Sequence, residues 1–229
     1  MPEVRLLLKL AAIAATSRST RIFYDRTAPF YDLLFSDHLS HVRAMAAALG
    51  EQCPSGHKKV LDIACGTGAL SRQLEEKGYR VTGLDFSFQS LCRLNQITSN
   101  IRLVQADATS LPFASAAFDV VTCMGAWRHF PNSEGVLQEI CRVLRPDGIF
   151  SVGYFPPKLG GLFRVPRGLP GRAMVSLYGW FIRILGYSDR TDQELERETL
   201  RMIDRMFAKY RLIQSGKTEY LILAASRRD

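Results

Sequence analysis

The most informative stretch of the sequence reads Lys59-Val-Leu-Asp-Ile-Ala-Cys-Gly-Thr-Gly68. Its apolar, β-branched start favours a buried strand. The two glycines that follow allow the backbone to turn tightly and to approach a ligand closely. Residues 69–77 then have a helical pattern, and Gly78 is a suitable C-cap. The stretch therefore predicts a strand, a turn and a helix in succession.

The same alternation of strand and helix continues along the chain. Strands alternating with helices build βαβ units, which have right-handed crossovers and a parallel sheet. The predicted fold class is therefore α/β: a Rossmann-like, seven-stranded, mostly parallel sheet with helices on both faces and an antiparallel final hairpin. The further elements are expected as strands at 79–85, 101–106, 118–124 and 148–153, helices at 87–96, 133–144 and 191–209, and a closing hairpin from 210–214 and 219–225.

Four segments are expected in the chain. Residues 1–26 form an N-terminal amphipathic segment, and residues 27–155 form the ligand-binding domain. Residues 156–190 are rich in proline, glycine and apolar side chains, and we interpret them as a helical lid inserted after the fifth strand. Residues 191–229 supply the closing helix and strands of the same domain.

Two acidic residues indicate the kind of ligand. Asp85 ends the second predicted strand, where a carboxylate can accept hydrogen bonds from both hydroxyls of a ribose. Asp62 stands just before the glycine turn, where it would repel a pyrophosphate and attract an ammonium group. Asp107 and Ala108 can offer an acceptor and a backbone N–H to an adenine edge. The pattern favours a nucleoside with an amine and no phosphate, which S-adenosylmethionine satisfies.

Five motifs in the same order carry a resemblance to a known family. With their spacing, they resemble the class I S-adenosylmethionine-dependent methyltransferases. Within that superfamily the chain is similar to the C-methyltransferases of ubiquinone and menaquinone biosynthesis, on the strength of residues 24–32 and 125–128. The motifs are residues 60–68, Asp85, residues 105–108 with 111–113, residues 118–119 and residues 142–148.

The resemblance implies a role for each residue of the cofactor site. Thr67 and the backbone of Gly66 and Gly68 would hold the methionine end, and Asp85 would bind the ribose. Asp107 and Ala108 would bind the adenine. The candidate cofactor-binding residues are Tyr24, Tyr31, Asp62, Ala64, Gly66, Thr67, Gly68, Asp85, Phe86, Asp107, Ala108 and Met124.

Three of these side chains have an equally simple structural interpretation. The resemblance implies that Met124 lines the methyl-donor pocket and that Tyr24 and Tyr31 close over the cofactor from the N-terminal helix. Met124 can instead be core filler, and the two tyrosines, seven residues apart on one helical face, can be core residues. Both interpretations stay open at this point.

His129 and Arg128 are the candidate catalytic residues. Methyl transfer from a sulfonium needs alignment above all, and it needs a base only if the acceptor loses a proton. His129 follows the fourth strand, and an ordinary imidazole pKa is near neutrality, although a structural role is an alternative. Arg128 would orient an anionic or phenolate oxygen. The pair His129-Phe130 departs from the quinone enzymes, which leaves the substrate open. Residues 123–126 lack the motif of base methyltransferases.

The excess positive charge is confined to two segments. The chain has 229 residues, 30 Lys and Arg and 22 Asp and Glu, for a net charge of +8. Residues 1–26 carry +3 and residues 156–190 carry +5, and both segments also have apolar side chains. This combination favours an anionic membrane surface as a partner. A nucleic-acid partner is not expected, because no basic stripe with interleaved aromatic residues is present.

The cysteines and the hydropathy pattern narrow the location. Five cysteines without a CxxC pair favour a reducing compartment and predict neither disulfides nor a metal site. No apolar run is long enough to span a bilayer. We expect a cytoplasmic protein, with peripheral association at the inner face of the membrane as a further option.

Three functional hypotheses remain. The first is an S-adenosylmethionine-dependent methyltransferase that acts on an apolar small molecule or lipid, such as a quinone or prenylated precursor. The second is a phospholipid-headgroup N-methyltransferase. The third, from another class, is a non-catalytic nucleic-acid-binding protein with the same fold.

Overall fold

A computed structural model provides the structure of the chain. It describes residues 9, 12–13, 16–34, 39–54, 56–153, 192–214 and 220–227. The predicted lid at 156–190 lies outside the described residues, as does most of the amphipathic segment before residue 16.

The described elements follow the predicted alternation. The helix α1 begins at a capped serine, since Ser19 Oγ accepts from the Ile22 N–H, and a 3₁₀ turn at Ala28–Phe30 joins it to α2. A second 3₁₀ turn, Trp127–His129, follows β4. The helices are α1 Thr20–Thr27, α2 Tyr31–Leu34, α3 Leu39–Gln52, α4 Ala69–Glu76, α5 Phe88–Ile97, α6 Ser133–Val143 and α7 Asp192–Met206, and the strands are β1 Lys59–Ile63, β2 Arg80–Asp85, β3 Arg102–Gln105, β4 Phe118–Met124, β5 Leu144–Gly153, β6 Phe207–Gln214 and β7 Tyr220–Arg227.

The strands form one sheet in the order β3-β2-β1-β4-β5-β7-β6 within the described residues. The first five are parallel, which confirms the predicted Rossmann-like core, and β7 is antiparallel to both β5 and β6. The chain moves outward from β1 to β3 and then returns to β4 on the other side of β1. Ligands bind at such a switch point, beyond the carboxyl ends of the strands.

Helices cover both faces of the parallel strands, and this explains their nearly continuous apolar runs. On one face, Val60 and Val120 pack with Met45, Leu49 and Leu74 of α3 and α4. On the other face, the neighbouring strand residues pack against α6 and α7, in a cluster that includes Leu61, Val121, Phe150, Leu137, Ile140 and Ile203. Helices therefore hold the strands from both sides, and this packing fixes the positions of the carboxyl ends of the strands relative to one another.

Two predicted boundaries are wrong. The predicted helix at 191–209 is too long, because α7 ends at Met206 and Phe207 begins β6. Phe207 is 1% exposed and its ring stacks on Phe150 at 6.0 Å, so packing against the sheet overrides the helical pattern. The strand predicted at 148–153 begins earlier, at Leu144, with an irregular register opposite β4.

No helix in the described part of the chain is both long enough and apolar enough to span a lipid bilayer.

Candidate cofactor site

A cavity of about 320 Å³ opens at the carboxyl ends of β1, β2 and β4. Its volume is near the lower end of the range for small-molecule sites. Residues that the sequence did not single out also contribute to the wall, among them Thr20, Ser90, Thr109 and Asn132. The predicted site residues that line it are Tyr24, Tyr31, Ala64, Gly66, Asp85, Phe86, Asp107, Ala108, Met124 and His129.

The glycine turn after β1 needs glycine for two different reasons. Gly66 has a φ of 55°, and a Cβ there would meet no atom within 4 Å, so its open side faces space that a ligand can occupy. Gly68 has a φ of 81°, and a Cβ there would collide with the side chain of Leu94 in α5. Gly68 therefore fixes the packing of the turn, while Gly66 lets the backbone form the cavity wall.

Asp85 places a buried carboxylate on the cavity wall. It is 5% exposed, and its Oδ2 accepts a hydrogen bond from the backbone N–H of Gly66 at 2.8 Å. Its Oδ1 accepts from the N–H of Ser87, also at 2.8 Å. Burial raises the pKa of Asp85 to about 6, although these backbone donors oppose the rise. Each oxygen keeps acceptor capacity for a ligand hydroxyl.

Asp62 does not line the cavity. It is 1% exposed, and its two oxygens accept from the hydroxyls of Ser71 at 2.5 Å and Thr122 at 2.7 Å. Burial raises its pKa to about 6. The carboxylate thus joins β1 to β4 and α4 beneath the glycine turn, and its attraction for a ligand ammonium group stays a prediction.

Thr67 and Gly68 also lie outside the cavity wall. The Thr67 side chain is buried, and its hydroxyl donates to Asp32 Oδ1 of α2 at 2.5 Å. The Asp32 Oδ2 also accepts from Arg93 Nε at 3.2 Å. Only the backbone around Thr67 is thereby left to face a ligand, while its side chain ties the turn to the N-terminal helices.

An aromatic wall closes one side of the cavity. The ring of Tyr24 lies 5.9 Å from that of Phe86, 6.4 Å from that of Tyr31 and 6.2 Å from the imidazole of His129. Both tyrosines are partly exposed and line the cavity. They are therefore wall residues and are not enclosed in the core.

Asp107, which also lines the cavity, is held in one orientation by Thr109. Its Oδ1 accepts from both the backbone N–H and the hydroxyl of Thr109, at 2.8 and 2.7 Å. Ala108 is buried beside it. The Gln105 Nε2 donates to the carbonyl of Phe86 at 3.1 Å, so the loops after β2 and β3 are joined.

The fourth strand ends at the cavity with Met124, which is partly exposed and also packs against the core. The backbone N–H of the next residue, Gly125, donates to the carbonyl of Gly153 at 2.9 Å. The residue that ends β5, immediately before residues 154–191, therefore lies beside the cavity.

His129 has an electrostatic environment that the sequence did not predict. Burial, with a smaller contribution from Arg128, lowers its pKa to about 3. His129 therefore departs from the ordinary near-neutral imidazole pKa, because a cavity wall disfavours the charged form. Arg128 itself is not among the residues that line the cavity.

Comparison with known proteins supports the same class. Residues 61–152 match the family model described as a methyltransferase domain. The chain is 36% identical over 151 residues to a demethylmenaquinone methyltransferase of Thermus thermophilus, covering 61% of this chain and 67% of that protein. It is 37% identical over 123 residues to that of Deinococcus radiodurans, covering 51% of each. The matches thus span about half to two thirds of these relatives.

Solved structures agree on the fold. A protein of Pyrococcus horikoshii superposes with a TM-score of 0.64 at 22% identity, covering 86% of this chain and 96% of that one.

The parallel sheet, its glycine turn and the matched relatives together define the class. The chain belongs to the class I S-adenosylmethionine-dependent methyltransferases, and within them it resembles those of quinone biosynthesis. S-adenosylmethionine is accordingly its cofactor. The described residues fit that group, since the open side of Gly66 and the buried carboxylate of Asp85 face one cavity.

Proposed function

We propose that the protein transfers a methyl group from S-adenosylmethionine to an apolar, aromatic small molecule, such as a quinone precursor with a prenyl tail. The observation that carries the proposal is the joining of two surfaces in one cavity. The buried carboxylate of Asp85 and the rings of Tyr24, Phe86 and His129 line the same cavity.

The proposed arrangement assigns one part of the wall to each part of the cofactor. Asp85 accepts from the ribose hydroxyls, and Asp107 with Ala108 contacts the adenine edge. The backbone of Gly66 contacts the methionine end. The bound cofactor supplies an electrophilic methyl group on a sulfonium. Met124, Tyr24 and Tyr31 then exclude water around the acceptor and orient it.

His129 is proposed to orient the acceptor and not to deprotonate it. An imidazole with a pKa of about 3 stays neutral at physiological pH and is a weak base. The site therefore suits an acceptor that arrives ionised, such as a phenolate ring. In the proposal, Arg128 does not touch the acceptor, and its positive charge attracts the anion from outside the cavity lining.

The names of the relatives support the substrate class. The two relatives above are demethylmenaquinone methyltransferases, and another match, 38% identical over 96 residues, is a ubiquinone biosynthesis O-methyltransferase of Cronobacter sakazakii. These names describe those proteins. They favour a quinone-type acceptor over a phospholipid headgroup for this chain.

A membrane surface is the proposed source of such an acceptor. Arg18, Arg21 and Arg26 are exposed in and beside α1, and the apolar side chain of Ile22 is 39% exposed on the same helix. Basic and apolar side chains act together at an anionic lipid surface. The proposal includes the division of the chain into segments 1–26, 27–155, 156–190 and 191–229. The helix α1, Thr20–Thr27, extends one residue past the end of the first segment.

The deciding experiment follows a labelled methyl group. The purified protein is incubated with methyl-labelled S-adenosylmethionine and a lipid extract from cells that lack quinone methylation. Label is expected in the prenylated quinone fraction, with no transfer by the Asp85→Asn variant. Label in phospholipid headgroups would favour the N-methyltransferase hypothesis instead. A protein that binds no S-adenosylmethionine in calorimetry would overturn the proposal.

A further inference from the structure

A dipeptide occurs twice in the N-terminal helices. Tyr24-Asp25 lies in α1 and Tyr31-Asp32 lies seven residues later in α2. Each tyrosine lines the cavity. Each aspartate instead makes a hydrogen bond to a loop that belongs to the parallel sheet.

Asp25 contacts the loop after β2. Its Oδ1 accepts from the hydroxyl of Ser87 at 2.7 Å and from the backbone N–H of Gln89 at 3.2 Å. Ser87 is the N-cap of α5, a position that favours a nearby carboxylate. The backbone N–H of the same Ser87 donates to Asp85 Oδ1 at 2.8 Å. Asp25 is thus linked through Ser87 to Oδ1 of Asp85.

Asp32 contacts the loop after β1. Its Oδ1 accepts from the Thr67 hydroxyl at 2.5 Å, and its Oδ2 accepts from Arg93 Nε at 3.2 Å. The Arg93 pair is partly exposed and contributes less. The neighbour of Thr67, Gly66, donates its N–H to Asp85 Oδ2 at 2.8 Å. Asp32 is thus linked to the second oxygen of the same carboxylate.

We propose that Asp25 and Asp32 are positioning residues that couple the docking of α1 and α2 to cofactor binding. Each holds a loop whose backbone N–H orients one oxygen of Asp85, and each keeps its neighbouring tyrosine on the cavity wall. Because coupling is reciprocal, the bound cofactor stabilises the docked helices by the same factor. The inference rests on the proposed placement of the ribose at Asp85.

Calorimetry with S-adenosylhomocysteine at pH 8, where the Asp85 carboxylate is ionised, tests the coupling. Asp25→Asn and Asp32→Asn each keep an acceptor oxygen but lose its charge, so each is expected to weaken binding by up to about tenfold, as a charge-assisted hydrogen bond becomes a neutral one. Asp147→Asn is the matched control, because Asp147 is exposed in β5. Its affinity should equal that of the wild type.

Two further measurements separate coupling from a general loss of stability. Asp32→Asn should weaken binding no further in a Thr67→Val background, whereas Thr67→Ser should keep near wild-type affinity. In hydrogen exchange, S-adenosylhomocysteine should protect the amides of α1 and α2 in the wild type and protect them less in Asp25→Asn and Asp32→Asn. If Asp32→Asn fails to fold, Thr67→Val removes the Thr67 donor of the hydrogen bond to Asp32 and decides the question.

The outcomes distinguish the inference from the proposed site. Normal affinity in Asp25→Asn and in both Asp32→Asn and Thr67→Val, together with loss in Asp85→Asn, overturns the coupling alone. Normal affinity in Asp85→Asn overturns the placement of the ribose and the coupling with it. Loss of affinity with the expected non-additivity supports both.

Discussion

The indole N–H of Trp127 donates a hydrogen bond to the hydroxyl of Thr199 at 2.9 Å, and both side chains are buried. The bond joins the turn that carries His129 to the helix α7, which begins after residues 154–191. One wall of the cavity is therefore fixed by a residue 72 positions further along the chain.

Replacing Thr199 by valine keeps the volume and leaves the Trp127 N–H buried without this acceptor. We expect the free energy of unfolding to fall by about 1–3 kcal/mol, as for other buried donors. Thr199→Ser keeps the hydroxyl and should lose much less. Urea unfolding of the two variants measures the difference, and equal losses would show that the hydrogen bond contributes little.

His129 should make stability depend on pH. Its pKa is lowered to about 3 in the folded protein, while an unfolded histidine titrates near 6.5. Between these values the unfolded chain binds more protons, so this contribution to stability grows as the pH rises and is complete above about 6.5. The difference in unfolding free energy between wild type and His129→Gln should therefore change by up to about 1.4 kcal/mol per pH unit in that window. A constant difference from pH 4 to 7 would contradict the burial argument.

Asp85 should make cofactor binding depend on pH, with affinity lost as the pH falls through about 6. Its pKa is raised to about 6, so the carboxyl becomes increasingly protonated as the pH falls below 6. If only the ionised form binds the ribose, the dissociation constant of S-adenosylhomocysteine should be about tenfold larger at pH 5 than at pH 8. Asp85→Asn should bind weakly at both values. A wild-type affinity that is flat between pH 5 and 8 would exclude this role.

The two glycines of the turn should fail in different ways when each is replaced by alanine. Gly68→Ala adds a collision with Leu94 to an unfavourable positive φ, so we expect a loss of more than about 1–2 kcal/mol in stability. Gly66→Ala has open space for its methyl group and should lose less stability. That methyl group instead enters ligand space, so cofactor affinity should fall. Thermal unfolding measures the loss of stability in both variants, and calorimetry measures their cofactor affinity. Equal losses of stability and of affinity in the two variants would contradict the separate roles of Gly66 and Gly68.

The basic face of α1 should contribute to binding at an anionic membrane. Replacing Arg18 and Arg21 by glutamine is expected to weaken flotation with anionic vesicles by about 2 kcal/mol, at about 1 kcal/mol for each charge. Arg80 and Arg102 are exposed at the amino ends of β2 and β3, away from the cavity. Their double replacement by glutamine is the charge-matched control. Equal loss in both double variants would indicate a response to net charge alone.

The parallel core was predictable because its signals are local. Each hydrophobic run, the glycine turn and the acid that ends β2 is recognised from a few neighbouring residues, so the sequence predicts both the succession of strands and helices and the position of Asp85 at the end of β2. The partners of Asp62 were not predictable in this way. Ser71 and Thr122 lie 9 and 60 residues away, and only the folded sheet brings them to one carboxylate.

The lowered pKa of His129 and the end of α7 were missed for a related reason. The imidazole pKa depends on the surrounding wall, and Phe207 leaves the helical pattern because Phe150 offers a stacking surface. The repeated Tyr-Asp dipeptide was visible in the sequence, although spacing alone does not reveal which loops the aspartates contact.

The contacts of the N-terminal helices also bear on the order of events during synthesis. Asp25 and Asp32 leave the ribosome well before their partners Ser87 and Arg93, which follow 62 and 61 residues later. Until those partners emerge, Phe23 and Thr27, which are buried in the finished fold, lack the surface against which α1 packs. In a growing chain, the first part of the cavity wall to be made thus cannot be fixed in place until β2 and α5 have followed it.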